Sequence, residues 1–417
     1  MGALGLEMFL NARKANKSAH DFQVTTPVAY PTGFSELDYL NGQKVEVYDR
    51  DDNLIMEYDS VGVVEGTMNT IIADAGLGKT TIAQQFATTI AARYDNSFVV
   101  HEDIEQASHL NRVYNISRLS ASWMRTHYTM YQDTHAETVV DRFKDHALMK
   151  LNNRKVFEYD TGLKDMYGDK LIRMQPSFML LDSLAMMRSE DLDMDADKDS
   201  TGKATNNMSG ARNARFNSEI FKQMLPYAKK ANIILYIINH ISRKVDIGFV
   251  KSARDLVGLG ENESLPGGRA SVYLANNVLR LKNKCQLKPD KEYGINGYII
   301  GATYYKSRTN ASNVECELIF DKSNGYSKIL TMLHFGLNNN LVKKSGNKYY
   351  VKGYEDTIFT KKTFMSTCEE HPILLNALYN LMHPILRGYL GRQAITADES
   401  EEERLDSYSD IMTMLAV

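Results

Sequence analysis

Thr67-Met68-Asn69-Thr70-Ile71-Ile72-Ala73-Asp74-Ala75-Gly76-Leu77-Gly78-Lys79-Thr80-Thr81 is the stretch that decides the fold of this chain. An apolar segment of strand length, Thr67–Ile72, enters a loop containing two glycines, and the loop enters a helical pattern over Thr80–Ala92. Gly76 and Gly78 can adopt backbone angles closed to other residues, so that successive N–H groups turn inward and cradle phosphate oxygens. The helix that follows adds the positive end of its dipole. In that frame Lys79 is a point charge for the β- and γ-phosphates, Thr80 offers a hydroxyl to Mg2+, and Asp74, Ala75, Gly76, Leu77, Gly78, Lys79, Thr80 and Thr81 form the nucleotide-binding loop. Ala73 stands where the strict pattern has its first glycine.

Outward from this loop, apolar segments alternate with helical ones: Phe98–Val100, Phe178–Leu181, a helix over Asn217–Ala231, then Ile233–Ile238. Such alternation predicts an α/β fold with a mostly parallel sheet covered on both faces. Between Val272 and Leu330 the pattern turns strand-like and predicts an antiparallel extension of that sheet. The expected organisation is a short amphipathic helix and linker over 1–32, a core over 33–330, a small α/β unit over 331–394 and an acidic tail over 395–417. The tail segment 398–410 carries seven acids against one arginine, within a chain whose net charge is −3, so the body is mildly basic. No apolar run approaches the roughly 18 residues that cross a bilayer. The first residues have neither a basic start nor a small-residue cleavage site, and three widely separated cysteines make neither a disulfide framework nor a zinc site. A cytoplasmic protein without membrane contact is expected.

A phosphate loop needs further partners at the ends of neighbouring strands. Asp182, after Phe178–Leu181, is the candidate second Mg2+ partner. Glu102 and Glu105, just past another strand, are both candidates to activate an attacking water.

The residues resemble, in order from about Pro31 to Tyr379, the RecA family of recombinases. Pro31-Thr32-Gly33-Phe34-Ser35-Glu36-Leu37-Asp38 is similar to the family's opening motif, and Leu181-Asp182-Ser183-Leu184 to its Mg2+-binding strand. Asp103-Ile104-Glu105-Gln106-Ala107 is similar to Asp-Ala-Glu-His-Ala, whose Glu is catalytic; this selects Glu105 over Glu102. Ile237-Ile238-Asn239-His240 resembles the strand that senses the γ-phosphate, with His240 in place of Gln. His109 and Arg112 occupy the adenine-contacting positions, with Tyr114 nearby. Tyr305-Lys306-Ser307-Arg308-Thr309 resembles the segment whose cations reach the ATP of a neighbouring copy.

The resemblance implies a RecA-like P-loop ATPase core and two DNA-facing loops, about 190–217 and 241–268. Lys203, Arg212 and Arg215 lie in the first, and Arg243, Lys244, Phe249, Lys251, Arg254, Gly267, Gly268 and Arg269 at the second. The cations can neutralise phosphates and Phe249 can wedge between bases. It further implies ATP and Mg2+, single-stranded and duplex DNA as partners, and a helical homo-oligomeric filament with ATP at the seam between copies. The activity implied is DNA-dependent ATP hydrolysis with homologous pairing and strand exchange. The first rival is a RecA-fold hexameric replicative helicase, and the second is a non-enzymatic regulator that binds ATP and a recombinase without turnover, against which intact Lys79, Asp182 and Glu105 argue. The segment between Glu105 and Asp182 exceeds the family's usual spacing and reads as a surface insertion.

Overall fold

The computed structural model describes residues 27–48, 53–164, 168–189, 206–243, 259–260 and 263–394. Its centre is a nine-stranded sheet. In chain order the strands are β1 (Met68–Ala73), β2 (Val99–Asp103), β3 (Tyr128–Tyr131), β4 (Ser177–Asp182), β5 (Ile233–His240), β6 (Asn277–Leu287), β7 (Gly297–Ser307), β8 (Glu315–Asp321) and β9 (Gly325–Tyr326). Across the sheet they lie in the order β9-β8-β7-β6-β1-β5-β4-β2-β3. The block from β6 to β3 is parallel. From β6 to β9 the pairing is antiparallel. The protein is therefore a mixed α/β fold with a large, mostly parallel sheet flanked by helices.

The inner strands are buried along nearly their whole length because both faces are covered, and the period of two splits their apolar side chains between two cores. Ile71, Phe178, Leu180, Ile234, Tyr236 and Ile238 face helix α1 (Lys79–Ala91). Ile72, Met179, Leu181, Ile233, Leu235 and Ile237 face the opposite side. There, α2 (Ala136–Asn152) packs on α3 (Asn206–Ala231).

Three sequence expectations are corrected. The segment between Glu105 and Asp182 is not a surface insertion. It supplies β3, hydrogen-bonded to β2 with Val99 opposite Tyr128, and α2, whose Val139, Val140 and Phe143 are core residues. Only the hairpin Glu158–Lys164 with Lys170–Met174 stands apart as its own two-stranded sheet. Second, the helix placed at Asn217–Ala231 begins at Asn206, so 206–217 is helical and not loop. Ala211, Arg212, Ala214 and Arg215 are strong helix formers, and Gly210 alone does not break a 26-residue helix. Third, a boundary at 331 would cut α4 (Lys328–Asn338), whose N-cap is Ser327, its hydroxyl accepting from Leu330 N.

Beyond α4, three short strands (Val342–Ser345, Lys348–Val351, Tyr354–Phe359) and α5 (Ile373–Arg387) make the small α/β unit. This unit is not a separate lobe. Its Leu333, Phe359, Phe364 and Leu378 share a core with Tyr39, Leu287 and Ile319. The strand Gly391–Ala394 then pairs in parallel with Gln43–Tyr48, which forms a hairpin with Leu54–Ser60. Sequence patterning missed this small sheet. Among the described residues no helix is long and apolar enough to cross a membrane.

Candidate functional site

The carboxyl ends of the parallel strands β1, β5, β4 and β2 open on one side of the sheet. That crevice is where α/β sheets bind ligands. Here β1 gives way to the glycine loop. Gly78, at φ +72°, is the N-cap of α1, and Gly76 has φ +78°. A Cβ on Gly78 would lie 2.8 Å from the Phe320 ring, whereas one on Gly76 would meet nothing within 4 Å. Lys79 Nζ donates to the carbonyls of Ala73 (3.2 Å) and Asp74 (2.9 Å), and burial holds its pKa below the ordinary lysine value. The loop thus folds back on its own lysine.

Asp182 ends β4 facing α1, and its Oδ2 accepts from Thr80 Oγ1 at 2.5 Å. Burial pushes its carboxyl up to about 6, against the lowering effect of that hydrogen bond. A hydroxyl and a carboxylate side by side are hard oxygen donors of the kind Mg2+ takes, so Thr80 and Asp182 fit the ion.

Glu105 follows β2. Its Oε1 accepts from Ser183 Oγ (2.5 Å) and pairs with His240 Nε2 (2.7 Å), while its backbone N–H donates to Asp182 O (3.1 Å). β5 lies between β1 and β4 and carries His240 to the same place, where Asn239 fixes the backbone by accepting from His240 N (2.9 Å). Glu102 does not reach the cleft. The pleat sends it to the other face, where it is fully buried and its Oε2 accepts from Arg142 NH1 at 2.5 Å.

Together these residues bound a cleft of about 280 Å³ lined by Gly76, Lys79, Thr80, Glu105, Asp182 and His240. His109 and Arg112 also line it, whereas Tyr114 does not. Sequence reasoning missed Gln84 and Phe320, which close the wall. Phe320 comes from β8, more than two hundred residues after the loop, and no local signal ties the two. It also missed His101 and Asp103. Asp103 accepts from Ala107 N (3.2 Å), Ser108 N (3.0 Å) and Gln132 Nε2 (3.1 Å), which shapes the turn carrying Glu105.

Lys306 and Arg308 lie elsewhere. Lys306 is opposite Val278, which is opposite Thr70, at the end of β1 away from the loop. Lys306 Nζ donates to Val272 O (2.9 Å) and Tyr273 O (2.7 Å), and Arg308 to Tyr273 O (3.2 Å). Burial, with Arg308 beside it, holds Lys306 down at about 8.

Of the candidate DNA contacts, Arg215 is exposed on α3 and pairs with Glu219 (3.2 Å), and Arg212 lies one turn earlier. Arg243 ends the two-residue strand Ser242–Arg243, opposite Glu263 in its antiparallel ladder. Gly267 has φ +78° and Gly268 +90°; the carbonyl of Gly267 accepts from Asn217 Nδ2 (3.0 Å), and Arg269 caps the helix Ala270–Tyr273. Both candidate segments therefore meet at Asn217–Gly267. Lys203, Lys244, Phe249, Lys251 and Arg254 lie outside the described residues. The sequence matches no protein-family model, and no curated protein matches it.

Proposed function

We propose that the protein is a DNA-dependent ATPase of the RecA type, which assembles on single-stranded DNA with ATP at the seam between copies and carries out homologous pairing and strand exchange. The observation that carries this reading is the division of the sequence-matched residues. Lys79, Thr80, Asp182, Glu105 and His240 converge on one cleft, whereas Lys306 and Arg308 sit at the far end of the sheet, tied to the carbonyls of Val272 and Tyr273. A site that needs both groups needs two molecules.

In this mechanism the loop amides and Lys79 bind the β- and γ-phosphates, displacing the lysine's contacts to Ala73 O and Asp74 O. Thr80 and Asp182 would hold Mg2+, which supplies charge neutralisation on the phosphates when bound. Glu105 orients the attacking water and takes its proton as the water oxygen bonds to the γ-phosphorus and the bond to ADP breaks. Ser183 and His240 hold that carboxylate until a γ-phosphate competes for His240. Lys306 and Arg308 of an adjoining copy supply positive charge from outside. The two basic segments that meet at Asn217–Gly267 support the DNA-facing part of the reading.

Electron microscopy with single-stranded DNA and a non-hydrolysed ATP analogue tests it. A continuous helical filament is the expected image. Closed rings would replace it with the hexameric helicase, and dispersed monomers would refute both.

A further inference from the structure

Beneath the cleft floor lies a buried group of side chains of which the ATPase reading uses only one oxygen of Asp182, the one facing Thr80. One ligand atom each from His101, Asp103 and Asp182 falls within 4.8 Å of the others, and all three residues are buried. His101 and Asp103 share one face of β2, and Asp182 is in register with Asp103 on β4. His101 Nδ1 hydrogen bonds Tyr128 OH at 2.9 Å, which leaves Nε2 as the free ring nitrogen. Neither His101 Nε2 nor Asp182 Oδ1 has a hydrogen-bond partner among the described residues, although both residues are more than nine-tenths buried. Asp182 turns its other oxygen to Thr80. Asp103 accepts three hydrogen bonds, and a carboxylate has about four acceptor positions, so one remains.

Two carboxylates and an imidazole lone pair that share a buried space repel one another and are each costly to leave unpaired. Lys79 offsets part of the Asp182 charge, but its hydrogen bonds go to the backbone carbonyls of Ala73 and Asp74, and it makes none to His101 or Asp103 among the described residues. A divalent ion resolves all three demands. The ligating tautomer has Nδ1–H donating to the Tyr128 hydroxyl, and such an outer hydrogen bond from the second ring nitrogen is the usual way a ligating histidine is held. Imidazole among the ligands selects against Mg2+, which prefers oxygen and water, and favours manganese, cobalt or zinc.

We propose that His101, Asp103 and Asp182 form a binding site for one first-row transition-metal dication, held by the free chain without nucleotide and distinct from the Thr80 side of Asp182. The test uses the full-length, nucleotide-free protein and Mn2+ as probe, with free Mn2+ counted by electron paramagnetic resonance and nitrogen ligation read by pulsed methods on the bound ion. One equivalent should bind with a nitrogen coupling. His101→Gln should weaken binding at least tenfold and erase the coupling, and His240→Gln, at the cleft, should leave both. Asp103→Asn, a second variant, should also weaken binding. The proposal fails if wild type binds no Mn2+, which would leave a buried water as the bridging group, if the bound ion shows no nitrogen coupling, or if His240→Gln and not His101→Gln removes it. Because no nucleotide is present, none of these outcomes bears on the ATPase reading.

Discussion

Glu102 and Glu105 are three positions apart, and the pleat of β2 gives them different fates. Glu102 is inside the strand and points at Arg142 on α2; Glu105 is past it and lines the cleft. On the proposed mechanism, Glu105→Gln keeps the shape but cannot take a proton, so turnover should fall by about a hundredfold with nucleotide affinity unchanged. Glu102→Gln should do the reverse: it weakens a buried ion pair and should lower the melting temperature at unchanged turnover per folded molecule. Steady-state hydrolysis beside thermal denaturation separates the two. Lys150 makes a pH prediction. Its ammonium is fully buried, donating to Gln175 O (2.7 Å), Ser177 Oγ (3.0 Å) and Asn232 O (3.3 Å), and burial brings its pKa down from 10.5 to about 7. Between those two values the unfolded chain binds more protons than the folded one, so stability rises with pH across that window. Urea titrations from pH 7 to 10 should show this rise in wild type and a flatter profile in Lys150→Met.

At the scale of elements, the loop and its strand were legible because a tight turn from a buried strand into a helix imposes a local pattern: apolar strand, glycines in the left-handed region, lysine at a helix start. Gly78 is the more constrained glycine. Ala there must hold a positive φ and push Phe320 aside, whereas Ala at Gly76 meets only the first penalty. Gly78→Ala should therefore weaken ATP binding and stability more than Gly76→Ala, by about 1 kcal/mol or more in denaturant titrations. Other elements were illegible for physical reasons. Tyr128–Tyr131 is a short strand whose identity comes from its pairing with β2, not from its own alternation. Asn206–Asn217 is mostly polar in sequence and reads as loop, yet it is helical, and Phe216 packs against the core that Ile220 and Phe221 enter. The site divides the same way. Lys79, Asp182 and Glu105 carry sequence signals, while Phe320, Asp103 and His101 enter only through register and tertiary approach.

For the whole molecule, the proposed completion of the cleft by an adjoining copy predicts complementation. Lys79→Ala lacks the cradle, and the double variant Lys306→Ala with Arg308→Ala lacks the external cations; each alone should hydrolyse little ATP on DNA. Mixed, they form seams in which an intact loop meets intact cations, and roughly a quarter of randomly assorted seams would be complete. Hydrolysis well above the sum of the separate proteins is the expected result, and none would place the whole site in one molecule. The strand Gly391–Ala394 has a different reach. It leaves the helical unit and adds itself to the edge of Gln43–Tyr48, in register from Gln43 opposite Gly391 to Glu46 opposite Ala394. A tug on the polypeptide just past Ala394 is thus delivered first to the hairpin that follows the helix Ser35–Leu40, bypassing the helices that come immediately before it in the chain.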